Sequence, residues 1–200
     1  MAALPIAVVL ALTSAHAPQV APETILAFAR GESALDPLEI HDNTSGRAYS
    51  PQSLDSAIKL AYELMRDGDD LDLGLLAINQ RNLPRLGLTV SSAFDPVISI
   101  KAGARVLMEN YQLCLRSLKG EAALKCMGSY YNTGTGDRGI SNGYVGRVWQ
   151  IADQLVPAIR DARQRELPLP DAPPPPDKDG GLHDAVHVHH VPSPPDRNSP

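Results

Sequence analysis

Aromatic side chains make up only 4% of the chain, and Lys and Arg nowhere form a dense cluster. A surface that stacks on bases or tracks a phosphate backbone needs both, and the net charge is −5, so a nucleic-acid partner is excluded. Cysteine is almost missing. Cys114 and Cys126 are too few for a disulfide scaffold and lack the spacing of a zinc site. Long apolar runs are missing too: the one near the N-terminus falls short of the about 20 residues a membrane span needs, so no integral span is expected. No segment repeats.

What is there suits one globular domain with appendages. The 200 residues are 43% hydrophobic and 20% charged, an ordinary balance for a chain with a real core. Residues 1–17, MAALPIAVVLALTSAHA, end in Ala15-His16-Ala17 like an export-signal cleavage site, yet carry no Lys or Arg before the apolar run. They read either as an export signal or as the first helix of the domain, stopped by Pro18. Residues 168–200 hold ten of the eighteen prolines and four of the six histidines. That composition cannot bury enough apolar surface to offset its ordering entropy, so a disordered Pro/His-rich tail is expected over 164–200, with the domain proper over 18–163.

Between these ends the hydrophobic periodicity predicts mainly helices: about 22–34, 53–66, 95–115, 121–131 and 144–160. The cluster Asp42-Asn43-Thr44-Ser45-Gly46 predicts the turn of a small hairpin, Gln80–Leu86 a helical turn closed by Gly87, and 132–143 a glycine-rich loop.

The stretch TILAFARGESALDP (24–37) holds a conflict. Ile25, Phe28, Ala29 and Glu32 fall at i, i+3, i+4 and i+7, one helical stripe, and the last is a carboxylate. A glutamate where a stripe ends can simply reach water. Held instead at the rim of an apolar pocket, its charged form is disfavoured and its pKa rises, which makes it a general acid near neutral pH and a base in a following step. Two other stretches carry polar groups: DLGLLAINQRNL (72–83) and SYYNTG (129–134). Each alone reads as a strand or helix end.

Taken in order, Glu32-Ser33, Gly74-Leu75-x-x-Ile78-Asn79 and Tyr131-Asn132-x-Gly134 resemble the motifs of soluble lytic transglycosylases with a lysozyme-like domain. The resemblance is closest to the specialised members of type IV secretion and conjugation systems. APQVAPETILAFARGES, HDNTSGRAYSPQS, FDPVISIKAGARVL and NGYVGRVW share the look, over roughly residues 10–155. It implies an α+β, mainly helical lysozyme-like fold with a small β-hairpin. The implied activity cuts the MurNAc–GlcNAc bond of peptidoglycan without water, leaving a 1,6-anhydro end, and needs no cofactor. By motif, Glu32 would be the single catalytic acid/base. Ser33 and Tyr131 would orient the glutamate and the sugar, Asn79 and Asn132 would line the cleft, and Gly74 and Gly134 would shape the backbone. Peptidoglycan and secretion-apparatus subunits are the implied partners and the periplasm the implied location. Residues 5–17 then look like the family's first helix, compatible with an uncleaved export signal.

Two departures stand out. Ala77 replaces the family's glutamine, removing an amide from the cleft. Ala34 replaces a glycine after Glu-Ser and is expected to keep φ negative. The rival readings are a non-catalytic wall-binding or assembly subunit, and a hydrolytic lysozyme with a second acid about 5–10 Å from Glu32. Asp36, Glu39 and Asp42 are the nearest acids in sequence, with Asp36 and Asp42 placed as turn residues. Cys114 and Cys126 flank a turn between adjacent helices, so they make a bridge of about 3 kcal/mol or stay as buried thiols. His183, His187, His189 and His190 have no fold to fix a metal geometry, and no metal site is expected. His41 reads as a hairpin or surface residue.

Overall fold

The structure is a computed structural model that describes residues 3–165. Most of the expected tail over 164–200, with its four histidines, lies outside the described residues.

Helix α1 (Ile6–His16) is apolar on every side and buries Val9, Leu10 and Thr13, the Thr13 hydroxyl bonding back to the Val9 carbonyl at 2.8 Å. It packs on α2 (Pro22–Ser33) and on two later helices, α6 (Pro96–Cys114) and α9 (Tyr144–Arg165). Helix α2 is the spine of the domain. Pro22 opens it, where a missing N–H costs nothing, and the run Ile25–Ala29 is fully buried. A helix buried on nearly all sides lies between other elements rather than on them, and α2 is flanked by α1, α6 and α9.

Helix α2 ends on Ala34, whose φ is +52°, followed by Leu35 at +69°. This corrects the expectation of negative φ at Ala34. The left-handed cap lets the Ala34 N–H reach the Ala29 carbonyl, and that closure outweighs the strain of placing a Cβ there, about 1–2 kcal/mol.

The expected hairpin, β1 (Ile40–Asp42) with β2 (Arg47–Tyr49), is part of a larger antiparallel sheet. Its order is β2-β1-β3-β4, with β3 (Leu71–Leu73) and β4 (Ile78–Asn79). Strands of two or three residues are too short to show alternation in a sequence. Asp42 accepts from the backbone N–H groups of Thr44 (2.8 Å) and Ser45 (3.3 Å), and Asp36 from that of Leu38 (2.9 Å), so both are turn residues. Between β2 and β3, α3 (Leu54–Asp67) starts with a capping box from Ser53 and Ser56 and stops at Gly68.

After β4, a single 3-10 turn (Gln80–Asn82) leads into α4 (Leu83–Leu86), closed by Gly87 in the left-handed region, and then α5 (Val90–Ala93). Helix α6 and α7 (Gly120–Thr133) form an antiparallel pair joined by the Cys114–Cys126 disulfide, with Cα atoms 6.0 Å apart. The expected loop over 132–143 holds the end of α7 and a short α8 (Arg138–Ser141). Ser129 Oγ donates to the Thr135 carbonyl (2.7 Å) and accepts from the Gly139 N–H (2.8 Å), folding the segment back on α7. Among the described residues, no helix is long and apolar enough to cross a membrane.

Candidate active site

Glu32 occupies the last turn of α2, one turn beyond Phe28. The apolar stripe leaves the core at this point and opens into a cleft of about 310 Å3. Phe28 meets the Tyr131 ring edge-on at 5.0 Å and the Tyr144 ring at 6.4 Å, so the carboxyl rests over an aromatic floor. It is half-buried. Tyr144, the first residue of α9, donates its hydroxyl to Glu32 Oε1. Glu32 Oε2 has no protein hydrogen-bond partner among the described residues. Burial lifts the Glu32 carboxyl to about 7, the Tyr144 hydroxyl pulls it down, the charge of Asp72 raises it and that of Arg147 lowers it. Burial and the nearby Glu32 hold the Tyr144 hydroxyl far above its ordinary range. Tyr144 is therefore a donor at any physiological pH.

The stretches singled out in the sequence meet at the turn between β3 and β4. Gly74 opens it with φ +74°, and a Cβ there would lie 2.2 Å from the Ala93 carbonyl oxygen, so no other residue fits. Leu75 and Leu76 are fully buried beneath it. The Leu75 carbonyl accepts from Ser33 Oγ (2.8 Å), the Leu76 carbonyl from the Tyr131 hydroxyl (2.7 Å), and the Leu76 N–H donates to Ser99 Oγ (3.1 Å). Helices α2, α7 and α6 thus each hold this turn by one side chain. Gly103 on α6 leaves the space that Leu76 fills. The turn ends on Ala77, at φ +47°, which lines the cleft beside Glu32.

The sheet forms the opposite wall. Strand β3 alternates Leu71, Asp72, Leu73, with both leucines fully buried and Asp72 on the other face. Its cross-strand neighbours are His41 on β1 and Asn79 on β4. Asn79 gives its amide protons to Asp72 Oδ1 (2.8 Å) and Asp70 Oδ1 (3.1 Å), and its Oδ1 accepts from the Arg81 N–H (3.0 Å). Its hydrogen-bonding capacity goes into holding the wall. Asn43 donates to Asp72 Oδ2 at 2.9 Å. Burial raises the Asp72 carboxyl above its ordinary range, against the lowering effect of these amides.

The structure brings Glu32, Asn79, Tyr131 and Asn132 together around the cleft. Ser33 is not among them: buried, it bonds to the Ala29 (3.1 Å) and Leu75 carbonyls. The Tyr131 hydroxyl is likewise taken by a backbone carbonyl, so its ring faces the cleft while its hydroxyl braces the turn. Asn132, at the rim, accepts from Asn142 Nδ2 (3.1 Å). Gly134 caps α7 with φ +69°. Asp36 and Asp42 do not line the cleft, and neither does Glu39. The residues that sequence reasoning missed are Tyr144, Asp70, Asp72 and Asn43. Tyr144 lies in NGYVGRVW, a stretch already noted, where nothing local marks it from a core tyrosine.

Residues 10–149 match the family described as the Transglycosylase SLT domain. The chain belongs to that family. It is 38% identical over 154 residues to Protein virB1 of Agrobacterium fabrum, covering 76% of this chain and 63% of that protein. It is 39% identical over 148 residues to Protein virB1 of Rhizobium radiobacter, covering 74% and 62%. With the Type IV secretion system protein virB1 of Brucella suis biovar 1 it shares 34% over 164 residues, covering 76% and 69%. It therefore spans somewhat under two thirds of the first two of these relatives. No solved structure matches it. The match to the SLT family takes in Glu32, the turn at Gly74–Ala77, Tyr131 and Tyr144, that is, the helix end, the turn and the aromatic floor of the cleft.

Proposed function

We propose that this protein is a peptidoglycan lytic transglycosylase with Glu32 as its single acid/base. The observation that carries the reading is a half-buried carboxyl at the lip of a sugar-sized cleft, held by one permanent donor and ionising near neutrality. Protonated Glu32 gives its proton to the glycosidic oxygen as the bond from that oxygen to C1 of N-acetylmuramic acid breaks. The C6 hydroxyl of the same sugar then closes on C1, and its proton returns to Glu32. The product is a 1,6-anhydro end, and the enzyme is back in its starting state. Tyr144 orients the carboxyl and stabilises its charged form between the two transfers. Tyr131 holds the β3–β4 turn in register with the acid, and Asn132 meets the sugar at the rim. Asn79 acts through the carboxylates that it fixes.

The type IV secretion label of the Brucella relative supports a role in opening the wall for such an apparatus, with its subunits as partners and the periplasm as location. Digestion of purified sacculi, with mass analysis of the released muropeptides, tests the reading. Anhydro-ended products lost on Glu32→Gln are expected. Wall binding without products would instead mean a non-catalytic subunit, the reading that Ala77 favours. Reducing-end products would mean a hydrolase, the reading favoured by Asp70 and Asp72 in the cleft.

A further inference from the structure

The turn that joins α6 to α7 carries three leucines that the fold leaves in solvent. Leu113, Leu115 and Leu118 are 37%, 45% and 37% exposed. The interior of this hairpin end is already taken by the Cys114–Cys126 bridge and Ala123, a small core separate from the main one, with Tyr111 and Tyr130 packed against it. The backbone then holds the leucines outward. The Leu115 N–H donates to the Tyr111 carbonyl (2.9 Å), and the Cys114 carbonyl accepts from both Ser117 (3.2 Å) and Leu118 (2.9 Å), which winds the turn tightly. Every residue over 115–122 is exposed, so the turn stands out from the domain. Apolar side chains grouped in water and rimmed by polar ones mark a binding surface. Charge is grouped here too. Between Glu109 and Glu121 the chain has Arg116 and Lys119 and no acid, in a protein of net charge −5. The flanking acids are engaged elsewhere, Glu109 with Arg85 (2.7 Å) and Arg105 (2.8 Å) and Glu121 with Lys125 (2.7 Å). Among the described residues, neither Arg116 nor Lys119 pairs with an acid.

We propose that the end of the α6–α7 hairpin is a docking tip for an anionic phospholipid surface. The three leucines enter the boundary between headgroups and acyl chains, while Arg116 and Lys119 meet lipid phosphates above them. A projecting turn that alternates leucines with unpaired cations suits a surface that is anionic outside and apolar beneath. Such a surface needs no matching groove. Two cations and three partly exposed leucines fall short of a permanent anchor, so the contact is reversible and weakens with salt. The cleft stays clear of it. Helix α7 starts at the tip and ends beside Tyr131 and Asn132, and its 14 residues rise about 20 Å. Docking therefore holds the cleft at up to about that height from the lipid. This goes beyond the transglycosylase reading and does not depend on it.

The test sediments the full chain with vesicles of phosphatidylcholine alone or with phosphatidylglycerol added, at low and high salt. Binding to the anionic vesicles is expected, about 10-fold or more above the neutral ones, and falling as salt rises. The double variants Leu115→Ser with Leu118→Ser and Arg116→Gln with Lys119→Gln each lower it about 10-fold or more. Lys59→Gln with Arg66→Gln removes the same charge from exposed positions on α3 and changes binding less than about 2-fold. Should the serine pair fail to fold, Leu115→Gln alone tests the same contact. In bicelles with a spin-labelled lipid, the amide signals of residues 113–119 broaden first. Equal binding to neutral vesicles, or broadening centred on the apolar helix α1, overturns the proposal. No binding to either vesicle also overturns it and leaves the tip to a protein partner. Vesicles hold no glycan, so the result stands whether or not Glu32 cuts the wall.

Discussion

Tyr144 donates its hydroxyl to Glu32 across 112 residues of chain, and the two rings of Phe28 and Tyr131 close the floor beneath that contact. A neutral donor of this kind favours the carboxylate over the acid, while burial favours the acid. The balance leaves Glu32 able both to give a proton and to take one back.

Tyr144→Phe removes the donor and keeps the ring. The carboxyl then loses the contact that lowers its pKa, so the fall of activity at high pH, which reports ionisation of the acid, moves to higher pH. Lost orientation lowers kcat about 10-fold. A pH profile of muropeptide release reads both effects, and an unmoved profile would remove Tyr144 from the mechanism.

Stability follows the same group. The folded-state pKa of Glu32, about 7, lies above its ordinary value of 4.5, so between these values the folded protein binds the proton and the unfolded chain releases it. Its contribution is present below the lower value and is lost as pH rises through the upper one. Glu32→Gln is expected to be more stable than the native protein at pH 8, by on the order of 1–3 kcal/mol, and to lose that advantage near pH 5. Denaturant melts at the two pH values show whether the gap closes.

Gly74→Ala should be the most damaging small substitution at the site. The new Cβ meets the Ala93 carbonyl at 2.2 Å with φ at +74°, so the turn that Ser33, Ser99 and Tyr131 hold must shift. A loss of about 3–5 kcal/mol is expected, with activity falling alongside it. Ala34→Gly acts in the opposite direction, relieving left-handed strain at an exposed cap and adding about 0.5–1 kcal/mol. Thermal melts of both variants give the signs directly.

Reducing the Cys114–Cys126 bond frees a 12-residue separation and is expected to cost about 3 kcal/mol. The bridge lies in a small cluster with Ala123, apart from the main core. The cleft should therefore stay intact below the lowered melting temperature. Activity assayed at low temperature with and without reductant should match, and a large loss there would tie the α6–α7 pair to the site.

Much of the fold was legible because helical periodicity is local. The stripe Ile25, Phe28, Ala29, Glu32 put an acid at the end of a buried helix, and the periodicity over 121–131 marked α7. The reading failed wherever direction in space mattered. Ser33 follows Glu32 in sequence, but successive helical residues point about 100° apart, so one faces the cleft and the other the core. Asp72 was missed because a three-residue strand has no visible alternation, and only pairing with β1 and β4 showed its face. Ala34 took the conformation expected of a glycine because the helix end needed that closure more than it resisted the strain.

The sequence by itself determined the long helices and that one carboxylate would end an apolar stripe, since both follow from the spacing of neighbours along the chain. Only the tertiary structure decided what that carboxylate touches. Tyr144 and Asp72 reach the cleft from a distant helix and a short strand, and such contacts depend on how buried surfaces fit together, which no local pattern records.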